Sequence, residues 1–162
     1  MRLLRYLHVL ALVLWLGGLV VAGAIVAPSV FGVLEKVDAM EDRVLGGQVF
    51  GEVLRRLHLL AYAMAGVMIV ALTVHRLLGS RPVAYGIRVT IVGLMLALTV
   101  ASGLGVSPRV ESLQHQVEGP ISALPADDAR RVEFNRLHGV SSLLLSITAA
   151  GGLVLLFWEA RE

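Results

Sequence analysis

One apolar stretch, Leu3–Ala27, limits what this chain can fold into more than any other feature. It holds two interruptions, Arg5 and His8, and both lie near its start. A helix over this range would be about 37 Å long at ~1.5 Å per residue, whereas the hydrocarbon core of a bilayer is about 30 Å thick. The stretch therefore predicts a membrane-spanning helix.

The rest of the chain repeats this character, and we predict four membrane spans, at about 3–27, 57–78, 85–106 and 135–158. Apolar residues make up 57% of the chain and charged residues 16%, compared with roughly 45–50% and 25% in soluble domains. Residues 1–162 are therefore predicted to form one all-α transmembrane domain. We expect an up-down-up-down four-helix bundle with amphipathic helical segments on its outer side.

Arginines predict the orientation of this bundle. Arg2 and Arg5 begin the chain, and Arg76, Arg81 and Arg88 surround the short connection between the second and third spans. Because short arginine-rich loops stay in the cytoplasm, we predict a bacterial inner (cytoplasmic) membrane protein with both termini cytoplasmic. The basic pI of about 9.5 then reflects orientation and not nucleic-acid binding. The expected partners are the lipid bilayer and either further copies of the chain or a larger membrane complex.

The first span carries an inward-facing stripe at helical spacing. Small residues in such a stripe let neighbouring helices approach closely. The stripe contains His8, Ala11, Trp15, Gly18 and Ala22. Pro28 is predicted to close this span, since a proline favours an extended residue before it.

Histidines are the candidate cofactor ligands, because ionisable groups inside a membrane are costly and usually functional. His8 and His75 lie at matched depth near one membrane face, and His58 and His138 near the other. Facing helices of a bundle hold haem b between two such imidazoles. The alternative is that these histidines are interfacial or hydrogen-bonded and bind no cofactor.

The start of the fourth span concentrates small polar residues. Asn135, Arg136, His138 and Ser142 could line a pocket for a small ligand or a metal ion at the outer mouth, or hydrogen-bond between helices as packing contacts. Carboxylates are confined to the polar segments and the C-terminal tail, so we expect no carboxylate relay through the membrane. The absence of cysteine excludes disulfides, thiolate zinc sites and iron–sulfur clusters. We identify no internal repeat from the sequence alone.

Three motifs carry a family resemblance: HVLALVLWLGGLVVAGAIVAPSVFGVL, GGQVFGEVLRRLHLLAY and FNRLHGVSSLL. Together they resemble the bacterial relatives of human transmembrane protein 205, a membrane family of unknown function. The resemblance implies four helices and roles for His8, Trp15, Gly17, Gly18, Pro28, Arg136, His138 and Gly139. Human members are associated with platinum-drug handling and membrane trafficking, which implies no defined reaction.

The first motif is also similar to copper-resistance D-type membrane proteins and to four-span haem-binding protoporphyrinogen oxidases. The oxidases' arginine–leucine–phenylalanine pattern is not matched after Pro28, where the chain reads Ser29-Val30-Phe31. We therefore predict a non-enzymatic membrane protein that binds a small ligand, a metal ion or a protein partner at its outer mouth. The alternatives are a haem b protein for electron transfer or haem handling, and an accessory subunit of a larger membrane complex.

Overall fold

The structure, a computed structural model, describes residues 2–34, 41–78 and 84–161, and these are almost entirely helical. The helices are α1 (Arg2–Val21), α2 (Ala27–Leu34), α3 (Glu41–Leu78), α4 (Tyr85–Val100), α5 (Ser107–His115) and α6 (Ala129–Glu159). A first π-helical turn (Ala22–Val26) joins α1 to α2, a second (Ala101–Val106) joins α4 to α5, and a 3₁₀ turn (Ile121–Ala123) precedes α6. The connection predicted at 79–82 lies outside the described residues.

Within the described ranges, four helical stretches are long and apolar enough to cross a membrane: Arg2–Leu34, Val44–Leu78, Tyr85–His115 and Ala129–Glu159. Helices α1 and α4 each pack against both α3 and α6, so the long helices form a ring in chain order. The predicted all-α four-helix membrane bundle is confirmed. Arg5 contacts Glu159, which places the start of α1 and the end of α6 at one end of the bundle, here called the terminal end. The opposite end is the far end.

The core runs along the bundle axis and is built from inward stripes. The α1 stripe is buried at His8, Ala11, Trp15 and Ala22, as its spacing predicts. At Gly18, a Cβ atom would lie 2.7 Å from Cδ1 of a leucine on α3, so α1 and α3 approach closely there. The other helices contribute the core residues Ala61, Ala65, Met68, Leu72, Val92, Met95 and Leu155.

Pro28 does not close the first helix, and this prediction was wrong. The helix continues to Leu34 because the first π turn precedes the proline. The Ala27 N–H donates to the carbonyl of Ala22, five residues back, so the turn is one residue wider than an α-helical turn. This local widening accommodates a proline that would otherwise clash with the preceding turn. The second π turn does the same before Pro108, where the third span was also predicted to end.

Helix α3 is longer than its predicted span, since it already begins at Glu41. The pair Gly46-Gly47 does not break this helix and instead marks close contacts. A Cβ atom at Gly46 would lie 3.1 Å from the ring of Phe31, and one at Gly47 would lie 2.9 Å from Nε2 of Gln114. These contacts hold α2 and α5 against α3 at the far end.

Helix α6 starts where the acidic pair 127–128 predicts a helix start. The Asp128 carboxylate accepts a hydrogen bond from the backbone N–H of Arg130 at 2.8 Å and pairs with the Arg130 guanidinium at 2.8 Å. This is the N-cap arrangement that satisfies an otherwise free helix donor. The hydrogen bonds from Arg130 lower the pKa of Asp128 to about 2.

The structure reveals an internal repeat at a spacing of 80 residues. The segment 22–28 reads AGAIVAP and the segment 102–108 reads SGLGVSP, and each contains a π turn followed by a proline. The triplet Arg-Leu-His occurs at 56–58 and again at 136–138. The hairpin of α1 and α3 thus corresponds to the hairpin of α4 and α6.

Burial follows the same spacing. Trp15 and Met95 are both fully buried, and Leu57 and Leu137 are each 8% exposed. The helix contacts also correspond. The contact between α1 and α3 is equivalent to that between α4 and α6, and the contact between α3 and α4 is equivalent to that between α6 and α1. The bundle therefore consists of two hairpins with the same packing order and with matching burial at these positions.

Candidate functional site

A charged cluster closes the terminal end of the bundle, and its centre is Glu159. Glu159 is the last residue of α6, and its side chain is 5% exposed. Its Oε1 accepts a hydrogen bond from Nη1 of Arg88 at 2.6 Å. Arg5 donates from Nε to Oε2 at 3.3 Å and from Nη2 to the Glu159 backbone carbonyl at 2.9 Å. Together with His8, these residues form what we call the terminal cluster.

Arg88 and Glu159 lie there because each continues the buried stripe of its own helix. On α4 the stripe is Arg88, Val92, Met95 and Thr99. On α6 the corresponding positions are Thr148, Gly152, Leu155 and Glu159. Burial removes water from both charges, a penalty that a buried ion pair offsets only with close hydrogen-bonding geometry. The pair therefore fixes how α4 and α6 meet.

His8 is the imidazole of this cluster, and its side chain is 4% exposed. Its Nε2 lies 3.7 Å from Oε1 of Glu159, which is too long for a hydrogen bond. Neither ring nitrogen meets a hydrogen-bond partner with good geometry among the described residues. Apart from a weak contact with the backbone of Met68, the imidazole keeps hydrogen-bonding capacity for a further polar group.

A small cavity of about 40 Å³ adjoins the terminal cluster. All four cluster residues line it, together with His75 and the apolar residues Leu4, Ala71 and Leu72. The volume exceeds the ~10–15 Å³ that one water molecule needs. Among the described residues, two guanidinium groups and one carboxylate line the cavity, so this lining carries a surplus of positive charge while the imidazoles are neutral.

The structure brings His8 and His75 to the same cavity, as matched depth predicts. A haem group does not fit there in this packing, because organic ligands occupy pockets of roughly 300–1,000 Å³ and this cavity measures about 40 Å³. His58 and His138 lie in different surroundings at the far end. His58 is buried beside Tyr62, whereas His138 is exposed and stacks on a phenylalanine one turn earlier.

The pocket predicted at the start of the fourth span is not formed by the described chain. Asn135, Arg136, His138 and Ser142 are all exposed. The inward stripe of α6 begins at Leu137, one residue away from His138 and therefore about 100° around the helix. A shallow surface depression of about 390 Å³ does lie at the far end, but other residues line it: Pro108, Arg109, Ser112, Leu113, Gln116 and Glu133.

Sequence reasoning missed Arg88 and Glu159. Arg88 counted as an orientation signal, and Glu159 counted as part of the C-terminal tail. The available signal was the helical register, since each continues a stripe of small and apolar residues. Among the described residues, no group of three or more His, Asp or Glu side chains could hold a metal ion.

The fold and this cluster define an integral membrane four-helix bundle with a buried group of charged side chains at one end. The family model described as Domain of unknown function (DUF4149) matches residues 10–118. The chain belongs to this family. The match includes Arg88 and leaves Arg5, His8 and Glu159 outside its bounds. No curated protein and no solved structure matched the chain.

Proposed function

We propose that this DUF4149 member is a non-enzymatic membrane protein that binds a small anion at the terminal cluster. The observation that carries the proposal is the cavity beside the terminal cluster, whose lining holds more positive than negative charge. The resemblance to bacterial relatives of transmembrane protein 205 is compatible with binding, since that family has no defined reaction. The proposal moves the site from the predicted outer mouth to the terminal end.

Charge and hydrogen bonding decide the class of ligand. Glu159 pairs with both Arg88 and Arg5, so one carboxylate balances two guanidinium groups in the described lining. The Arg5 side chain is 43% exposed, which gives the site a route to water. Guanidinium groups bind carboxylates and other oxyanions through parallel N–H donors. The imidazoles of His8 and His75, which line the same cavity, add hydrogen-bond donors when one ring nitrogen carries its proton.

Size then restricts the ligand to a few atoms. A cavity of about 40 Å³ suits a halide or a one-carbon carboxylate such as formate. It does not suit a sugar acid or an organic cofactor, which need several times that volume. Ligands of this size bind through charge and a few hydrogen bonds, so we expect millimolar affinity.

Thermal unfolding in a mild detergent tests the proposal. The protein is titrated with sodium chloride or sodium formate, and sodium gluconate replaces them at constant ionic strength. At 100-fold excess over a millimolar Kd, the ligand would stabilise the fold by about 2.7 kcal/mol. That corresponds to a rise in Tm of roughly 5–10 °C for a domain of this size.

Arg5→Gln should abolish the chloride- or formate-dependent rise in Tm, whatever it does to the Tm in gluconate. Arg55→Gln is the matched control, because Arg55 is an exposed arginine that also pairs with a glutamate. A wild-type Tm that is the same in all three salts would refute the proposal. So would an anion-dependent rise that persists in Arg5→Gln, because general salt effects on the detergent-solubilised protein would then explain it.

The haem alternative rests on one specific observation, namely that His8 and His75 line one cavity. Binding of haem would require the helices to separate there. An absorption spectrum of the purified protein distinguishes the two functions. A Soret band that is lost in both His8→Ala and His75→Ala would favour haem over the anion.

A further inference from the structure

A second group of buried polar side chains lies towards the far end of the bundle, on α3 and the second π turn. His58 is 5% exposed and Ser102 is 1% exposed. Tyr62 is half-buried beside them. Each of the three residues has one buried side-chain atom without a hydrogen-bond partner among the described residues, namely Nε2 of His58, Oη of Tyr62 and Oγ of Ser102. Unpartnered polar atoms are rare in protein interiors and costly in a membrane, so this group needs an explanation.

The second π turn brings His58 and Tyr62 together at Gly103, the residue that follows Ser102. A Cβ atom at Gly103 would lie 2.5 Å from Oη of Tyr62 and 3.1 Å from Cγ of His58. The two rings stack with centroids 6.4 Å apart and planes at 18°. His58 and Tyr62 therefore both reach the backbone at Gly103, directly beside Ser102. Only glycine permits this approach, because any side chain at position 103 would displace the Tyr62 hydroxyl.

The backbone carbonyl of Ser102 already has hydrogen-bond partners, whereas the Ser102 hydroxyl has none within the described part of the chain. The carbonyl of Ser102 accepts hydrogen bonds from the backbone N–H of Ser107 and from its hydroxyl, the latter at 3.1 Å. The Ser102 hydroxyl takes part in neither bond. π turns inside α-helices often occur at functional sites, and here the turn presents a free hydroxyl to the interior.

The internal repeat provides a comparison within the same molecule. At the 80-residue spacing, Ser102 and Gly103 correspond to Ala22 and Gly23. His58 and Tyr62 correspond to His138 and Ser142 on α6. A Cβ atom at Gly23 would meet nothing within 4 Å, and both His138 and Ser142 are exposed. The hairpin fold thus forms without buried hydroxyl groups at these positions. The polar trio is therefore a feature of one site and not a requirement of the fold.

We infer that His58, Tyr62 and Ser102 form a second binding site, whose ligand is a small neutral molecule that both donates and accepts hydrogen bonds. Water is the simplest member of this class. The three groups are an imidazole and two hydroxyls, each able to donate or accept, and none is an arginine, a lysine or a carboxylate. Buried water characteristically makes about three such bonds. This inference is independent of the anion proposed at the terminal end.

Two substitutions test the site through the direction of their effect. If a bound water joins the three groups, Tyr62→Phe and Ser102→Ala each leave the remaining groups short of a partner. We then expect Tm in detergent to fall by about 2–4 °C for each variant. If the groups bind nothing, each variant removes an unsatisfied buried group and Tm should rise. Ser142→Ala, at the exposed position equivalent to Tyr62, should leave Tm unchanged.

Nuclear magnetic resonance tests the bound water directly. In protein with ¹⁵N-labelled histidine, the ring signal absent from His58→Gln identifies His58. Magnetisation transfer from water to that ring signal should be seen in the wild type and should be lost in Tyr62→Phe. Circular dichroism confirms that each variant keeps its helices. A rise in Tm for both variants, or no transfer from water to His58 in the wild type, would overturn the inference.

Discussion

The Arg88–Glu159 pair gives the sharpest test of the terminal cluster. Both side chains are 5% exposed, and the closest nitrogen and oxygen are 2.6 Å apart. Breaking a buried ion pair by removing one of its two partners typically costs about 3–5 kcal/mol. We therefore expect Glu159→Leu to destabilise the protein by about 3–5 kcal/mol, or roughly 6–20 °C in Tm.

Replacing both partners should recover most of this loss. In Arg88→Met with Glu159→Leu, no charge of the pair remains buried, and apolar residues of similar volume are often neutral in such positions. We expect the double variant to lie within about 1–2 kcal/mol of the wild type, with Arg5 then free to reach water. Reversible unfolding by SDS in mixed micelles measures the free energies of all four proteins.

The chain contains a matched control for this cycle. Glu52 and Arg55 also approach to 2.6 Å, but their side chains are 43% and 63% exposed. An exposed ion pair contributes little to stability, so Glu52→Leu should be nearly silent. The reasoning fails if Glu159→Leu costs no more than Glu52→Leu. It also fails if the double variant is as unstable as Glu159→Leu, because Arg88 would then not be the charge that Glu159 compensates.

Three further predictions test the packing, the orientation and the cap. Gly18→Leu should destabilise the bundle by about 1–3 kcal/mol through overpacking. Gly17→Leu should not, because Gly17 faces open space. Equal losses of Tm in the two variants would contradict the assignment of Gly18 to the inward-facing stripe of α1. In the cysteine-free chain, an impermeant maleimide on intact cells should label Ser112→Cys and not Ala160→Cys, and the reverse pattern would invert the orientation. Asp128 has a pKa of about 2, below its ordinary value. Its cap therefore stabilises α6 above about pH 4 and is lost as the pH falls through 2. The Tm difference between wild type and Asp128→Asn should shrink over that pH range. A constant difference would show that the charge of the Asp128 carboxylate does not contribute to the stabilisation of α6.

Hydropathy predicted the bundle because a membrane imposes one strong requirement, a helix of sufficient length. The helix boundaries were harder to predict. A proline such as Pro28 usually marks the end of a helix, but here it follows a π turn and the helix continues. That turn depends on a hydrogen bond to Ala22, which residue spacing does not reveal. The sequence also placed His8 on the correct face. The charges of Arg88 and Glu159 suggested that both side chains would be exposed. Both are buried, because each charge is stabilised by a hydrogen bond to the other.

A related difficulty concerns the polar stripe at the far end, whose residues are exposed. The polar stripe through Asn135 and His138 was assigned to the interior because small polar residues often join helices. The actual inward face is one residue away and begins at Leu137. A shift of one residue is about 100° on a helix, so composition alone did not determine the face. Alignment of the two halves would not have corrected this, because the equivalent residue His58 is buried whereas His138 is exposed.

The repeat leads to a last prediction, that the two hairpins are separate assembly units. Each half would begin at the terminal end, cross to the far end and return, so a break between them interrupts no described helix. Contacts between the halves include the buried faces of α3 with α4 and of α1 with α6. Arg5 and His8 of one half also reach Glu159 of the other. These contacts should suffice for association without the covalent connection.

Residues 1–80 and 81–162 are co-expressed as separate chains, with an affinity tag on the first. We expect the second chain to co-purify and the complex to unfold at a Tm within a few degrees of the intact protein. The control is a break within α3, between Ala63 and Met64, which interrupts a buried helix in the lipid core and should prevent assembly. Glu159→Leu in the second chain should weaken the complex, because it removes the charge that the first chain contacts. Equal recovery from both break points would contradict the two-hairpin interpretation, since association would then not depend on where the repeat divides the chain.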